Sequence, residues 1–216
     1  MPCFSVCCHR WFPLIVILVT DIFGLTDHLL KLQKRINDSG YDCEVVDPYI
    51  GVYRHFISES LAYQTFMAEC GHERYRDLVK SKVEAANNPC VVIGFSAGAS
   101  ATWKALEKLN SEAILHFIGF YPSQIRHHLN INPSCPVSFV FPAVETHFDV
   151  NAVIEHLSQK PLVMISLTQY FHGFINFYSS AYNELASEQY VNLLCNSQLL
   201  SDSALMQTNL THLSSV

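Results

Sequence analysis

Ser96 lies at the centre of Gly94-Phe95-Ser96-Ala97-Gly98, between an apolar run at 90–93 and a helix-like run at 99–109. A serine hydroxyl is a weak nucleophile until a sharp turn projects it from the backbone and a base sits beside it. Gly-x-Ser-x-Gly between a strand and a helix has the form of that turn. Glycines two residues to either side leave room for the strand and helix to cross closely. The helix that begins there can aim the Ala97 amide at a developing oxyanion. The five residues alone also occur by chance in loops. The catalytic reading therefore requires an acid and then a histidine, each just beyond a later strand.

Both are present. The apolar run 137–141 precedes Glu145, and the run 162–167 precedes His172 within Tyr170-Phe171-His172-Gly173-Phe174. In such a set the imidazole takes the serine proton and later delivers it to the leaving group, while the carboxylate fixes the imidazole tautomer. Eleven histidines are present, so His172 has competitors. His116 falls inside a strand and reads as a hydrogen-bonded core residue. His127-His128 reads as solvated. His147 lies near the acid and could line a pocket. For the acid, Glu145 competes with Asp149, which an N-cap position on a following helix already explains; Glu145 is the first choice. A second oxyanion donor is expected from the loop Asp21-Ile22-Phe23-Gly24, with the Ile22 amide first and Phe23 second. Asp21 either caps the turn after it or stands beside the nucleophile.

These residues need elements to position them. Apolar runs at 14–19, 43–46, 90–93, 114–120, 137–141 and 162–167 read as strands. Helices are expected at 26–39, 73–86, 99–109, 150–157 and 177–194, with Gly40 and Asn87-Asn88-Pro89 as stops. Strand–helix alternation predicts an α/β fold, a mostly parallel sheet with helices on both faces. Active sites in such sheets lie at the carboxyl ends of strands, where Ser96, Glu145 and His172 fall. The aromatic-rich stretch 51–70 is expected to make a short helical excursion over the site and, with 122–136, to form pocket walls. One domain over 1–216 is expected, with loose ends at 1–10 and 197–216.

Composition narrows the partners. Half of the 216 residues are hydrophobic and 15% are charged, which implies a packed core. A formal net charge of −6 without a basic block argues against nucleic acid. Arg10 and the apolar run 11–19 resemble the start of a secretory signal, yet the run is too short to span a bilayer and no small-residue cleavage site follows. No membrane partner is expected. The eight scattered cysteines form no CxxC pair, so reduced thiols in the cytoplasm are expected. Cys7-Cys8-His9 lacks the usual ligand spacing, and neither metal nor cofactor is expected.

The chain resembles the dienelactone hydrolase family of α/β-hydrolases. Four segments carry the likeness across about residues 14–195: Asp21-Ile22-Phe23-Gly24, Gly40-Tyr41 through Asp47-Pro48-Tyr49, Gly94-Phe95-Ser96-Ala97-Gly98, and His172-Gly173-Phe174. Ser–acid–His is also the chain order of α/β-hydrolases. The resemblance implies a minimal, lidless member of that fold lacking the first strand or two. It implies hydrolysis of esters or lactones, with the amides of Ile22 and Ala97 as oxyanion donors. Several positions depart from the family pattern. Ser96 replaces the archetypal cysteine nucleophile, Glu145 the usual aspartate, Asp21 a glutamate and Asn176 a substrate-binding arginine. The expected function is therefore a serine hydrolase acting on a small ester, lactone or thioester through an acyl-enzyme, rather than on a dienelactone. The alternative is a non-catalytic ligand-binding or scaffolding member of the fold, which would have no need of all three residues.

Overall fold

The computed structural model describes residues 14–109 and 113–214. Six strands form one sheet: β1 (Ile15–Val19), β2 (Asp42–Val46), β3 (Cys90–Phe95), β4 (Ile114–Phe120), β5 (Val137–Phe141) and β6 (Val163–Leu167). Their order is β2-β1-β3-β4-β5-β6, and every pairing is parallel. The register aligns Val19 with Gly94 and Gly94 with Gly119, so the carboxyl ends share one edge. Backbone hydrogen bonding continues one residue past several strands. Thr20 N donates to Val46 O, Ser96 N to Phe120 O, Tyr121 N to Val140 O and Thr168 N to Phe141 O, at 2.8–3.1 Å. The first residues beyond the strands are therefore held as firmly as the strands themselves.

Helices cover both faces. Alternation along β1 sends Ile17 and Val19 to one side and Val16 and Leu18 to the other. The first side packs against α2 (Glu59–Glu69), α3 (Gly71–Ala85), α4 (Ala97–Ala105) and α5 (Val150–Leu157). The second packs against α1 (Asp27–Asp38), α6 (Glu184–Leu194), α7 (Ser197–Ser201) and α8 (Ser203–Ser214). Small residues on α4 (Ala97, Gly98, Ala99, Ala101 and Ala105) are all buried and let it lie close to the sheet. The helix starts two residues earlier than the sequence pattern predicts and stops at Ala105.

Two expectations need correction. The run 177–194 is helical only from Glu184. Residues 177–183 instead form turns, and the Asn183 side chain caps α6 by accepting from Ala186 N at 2.9 Å. The polar, Ser-rich segment after Asn196, expected to be loose, folds into α7 and α8. Its few apolar residues fall on one face, and Leu199, Leu200, Met206 and Leu210 are buried against α6 and the sheet. No helix of the described residues is long and apolar enough to cross a membrane. The apolar run is described only from residue 14, where it continues as β1; residues 1–13, with Cys3, Cys7-Cys8-His9 and the expected loose amino end, lie outside the described residues.

Candidate active site

Ser96 sits at the junction of β3 and α4 with φ 49° and ψ −111°. That backbone region is costly for any residue with a side chain and persists only where the surroundings enforce it. The two flanking glycines are the enforcing contacts. A Cβ on Gly94 would stand 2.7 Å from Ala99 Cα, and one on Gly98 would stand 2.3 Å from Thr20 O. Helix α4 thus crosses directly over the ends of β3 and β1. The turn projects Ser96 Oγ to 2.8 Å from His172 Nε2.

His172 follows β6 and is held from both sides. Its Nδ1 lies 2.6 Å from Glu145 Oε1, and the Glu145 side chain is 7% exposed. A proton on Nδ1 donates to Glu145 and leaves Nε2 free to accept from Ser96. Gly173 has φ 86°, and a Cβ there would strike Ser179 Oγ, so this turn too requires glycine. Phe174 is fully buried, stacked on Tyr170 and edge-on to Tyr190, and anchors the loop. From the other face, Ser179 Oγ donates to Glu59 Oε1 at 3.2 Å, which ties the first turn of α2 to the His172 loop. Asp149 does not reach the histidine. Its Oδ1 accepts from Asn151 N at 2.9 Å and caps α5.

The loop after β1 is fixed by Asp21 and Tyr49. Asp21 Oδ1 accepts from Phe23 N at 2.9 Å, so the Phe23 amide is engaged. No hydrogen bond among the described residues occupies the amides of Ile22 or Ala97. Tyr49 Oη donates to Ile22 O at 2.6 Å, and Tyr49 is itself fixed by the Asp47 carboxylate accepting from Tyr49 N and Gly51 N. Gly24 at φ 69° abuts the Tyr49 ring. Asp21 does cap its turn, but its Oδ2 also accepts from Asn176 Nδ2 at 2.6 Å. Burial pushes its carboxyl up from 3.8 to about 6, against the opposing pull of the Phe23 and Asn176 hydrogen bonds and of His172.

The fold thus brings Ser96, Glu145 and His172 together, and the amides of Ile22, after β1, and Ala97, next to Ser96, are unengaged among the described residues. His116 is a core residue, with Nε2 2.9 Å from Ser138 Oγ and burial lowering its pKa to about 4. His147 is exposed. Sequence reasoning missed Tyr121. Its ring centroid lies 5.0 Å from that of His172, at φ 39°. It follows β4 directly, so the strand-end rule that selected the other residues also points to it. Of the two stretches expected as pocket walls, 51–70 and 122–136, neither lines the cavity beside Asp21, which is lined by Thr20–Leu32 residues, Phe95, Tyr121, Ile175 and Asn176. Residues Tyr53, His55 and Phe56 of the 51–70 stretch line a second cavity with Phe23 and Tyr178. Among the described residues, no group of three or more His, Cys, Asp or Glu is arranged to hold a metal ion.

YczH of Bacillus subtilis (strain 168), an uncharacterized protein, is 32% identical over 172 residues, covering 75% of this chain and 81% of that one. The chain belongs to the YczH family. Solved structures similar to this YczH relative share its fold. A proposed dienelactone hydrolase from Klebsiella pneumoniae subsp. pneumoniae MGH 78578 matches with a TM-score of 0.63 at 19% identity, over 82% of both chains. The dienelactone hydrolase-like promiscuous phosphotriesterase P91 from metagenomic libraries matches at 0.59 and 15%, over 86% of this chain and 84% of that one. Mouse alpha/beta hydrolase domain-containing protein 10 matches at 0.59 and 14%, over 89% and 90%. The YczH relative thus has the α/β-hydrolase fold. No family model matches it.

Proposed function

We propose that the protein is a serine hydrolase that cleaves a small carboxylic ester, lactone or thioester through an acyl-enzyme. The observation that carries this reading is the unbroken hydrogen-bond chain Ser96 Oγ–His172 Nε2 (2.8 Å) and His172 Nδ1–Glu145 Oε1 (2.6 Å). His172 Nε2 takes the Ser96 proton as Oγ adds to the substrate carbonyl. The carbonyl oxygen becomes an oxyanion and accepts from the amides of Ile22 and Ala97. The imidazolium, steadied by Glu145, returns the proton to the departing alcohol, or to the thiol of a thioester, and an ester to Ser96 remains. Water then repeats the sequence: it loses a proton to His172, attacks the acyl carbon and releases the acid. No cofactor enters any step.

Resemblance to dienelactone hydrolases supports this assignment, as do the fold neighbours that carry that description. Serine at 96 and asparagine at 176 argue for general ester hydrolysis and against a dienelactone as substrate. The five described cysteines are free thiols, in keeping with action in the cytoplasm. Ser96→Ala tests the proposal directly. Turnover of p-nitrophenyl acetate and butyrate should fall by ~10⁴-fold or more, and a fluorophosphonate probe should label the wild type at Ser96 only. Unchanged turnover in the variant, or a wild type that the probe does not label, would overturn the assignment in favour of a binding or scaffolding role.

A further inference from the structure

The cavity beside Asp21 contains a group that the hydrolytic mechanism does not use. Tyr121 is 1% exposed, and its hydroxyl has no hydrogen-bond partner among the described residues. A buried hydroxyl without a partner is costly and calls for an occupant. The same cavity is walled by Asp21, Asn176, Phe95, Leu29 and Ile175. Asp21 and Asn176 are bonded to each other, yet each keeps capacity to spare: a second lone pair on each Asp21 oxygen and a second N–H on Asn176. One wall of the cavity, Tyr121, also packs against the His172 ring, with centroids 5.0 Å apart.

We propose that this cavity is the acyl-side subsite and that it selects a short acyl group bearing a hydroxyl, held between Tyr121 and the Asp21–Asn176 pair. The assignment rests on the serine hydrolase reading. A hydroxyl donates one hydrogen bond and accepts others. It can donate to Asp21 and accept from Tyr121, which matches what the walls offer. A substrate carboxylate would meet the like charge of Asp21, with only the neutral Asn176 beside it. A substrate ammonium would stand close to the imidazolium that forms on His172 during turnover. Size sets the length. The cavity measures ≈ 30 Å³, and one water needs roughly 10–15 Å³ on the same measure, so it admits about two or three non-hydrogen atoms. The remaining walls, Phe95, Leu29 and Ile175, suit the carbons of such a group.

Binding to the Ser96→Ala protein separates this subsite from the chemistry. Ethyl 3-hydroxypropanoate and ethyl propanoate would be titrated by ligand-observed NMR, and both would be offered to the wild type in a pH-stat assay. The hydroxy ester should bind about tenfold tighter, the size of one hydrogen bond to a charged group. Adding Tyr121→Phe or Asp21→Asn should bring the ratio toward one. Tyr121→Phe removes a hydroxyl that no group among the described residues satisfies, so its melting temperature should not fall; if it does not fold, Asp21→Asn carries the same comparison. Equal affinity for the two esters would overturn the subsite, and a preference that survives both substitutions would overturn its assignment to these residues. Preferential binding by Ser96→Ala with no hydrolysis by the wild type would leave the subsite standing and overturn the hydrolase reading instead.

Discussion

At the scale of single residues, the two acids beyond β5 have separate duties. Glu145 bonds the imidazole, whereas Asp149 bonds the first turn of α5. On the proposed mechanism, Glu145→Gln keeps the size of the side chain but offers an amide that no longer selects the Nδ1–H tautomer. Steady-state assays on p-nitrophenyl acetate should show kcat falling by ~10³–10⁴-fold, with KM little changed. Asp149→Ala should leave kcat within about twofold and lower the unfolding free energy by ~0.5–2 kcal/mol, the usual worth of an N-cap, in urea melts. A large loss of activity in Asp149→Ala with little in Glu145→Gln would reverse the assignment. The sequence favoured Glu145 because position near a strand end has one explanation there, and Asp149 already had another. Tyr121 escaped notice because nothing in its type announces chemistry; its meaning comes from an unpartnered hydroxyl, which only coordinates reveal.

At the scale of elements, the site depends on how closely α4 crosses the ends of β1 and β3. Gly98 is the point of closest approach, with a hypothetical Cβ 2.3 Å from Thr20 O and 2.4 Å from Val19 O. Backbone cannot yield there as a flexible side chain would. Gly98→Ala should push α4 away from β1, displacing both Ser96 and the loop that carries the Ile22 amide. The expected result is a fall of tenfold or more in kcat/KM and a stability loss of ~1–3 kcal/mol by thermal and urea denaturation. Gly40 is the matched control. It has φ 99° but nothing within 4 Å of a Cβ, so Gly40→Ala should cost only about 1 kcal/mol of backbone strain and leave kcat/KM unchanged. Equal effects from the two would show that close packing at the elbow does not matter. The six strands were legible because buried parallel strands are continuously apolar, and α1 and α5 because their caps stand beside clear stripes. Helices α7 and α8 were not, because four buried apolar residues are diluted among serines and polar neighbours. The start of α6 was misplaced for a related reason: Phe177 and Tyr178 look like a helical face but are exposed, in turns organised by Asn176 and Ser179.

At the scale of the whole molecule, burial governs both thiol reactivity and the response to pH. Burial raises Cys43 and Cys90 to about 12 and Cys135 to about 11, so these three thiols should resist iodoacetamide in the native protein and react in urea, as peptide mapping by mass spectrometry would record. Alkylation of all three without denaturant would mean the core is not closed as described. The candidate site was legible as a set because its members follow strands in order, yet the sequence could not say how the sheet brings Asp21 and Asn176, 155 residues apart, into contact. That contact has a thermodynamic consequence. Asp21 is raised from 3.8 to about 6 by burial, so between those values the folded chain holds more protons than the unfolded one. Stability from this group is therefore present below about pH 4, falls as pH rises toward 6, and is flat beyond. Two pKa units would correspond to ~3 kcal/mol at most, and residual solvent access at Asp21 lowers the expectation to about 1–2 kcal/mol. Asp21→Asn cannot ionise; its single amide oxygen keeps one of the two bonds, from Phe23 N or from Asn176 Nδ2, and the loss of the other does not change with pH. Urea denaturation at pH 4, 5, 6 and 7 should show the variant gaining stability relative to the wild type across pH 4 to 6 and holding that gain at 7. A difference between the two that does not change with pH, or that changes in the opposite sense, would mean that Asp21 keeps its charge in the fold at no cost and that the cavity beside it is open to bulk water.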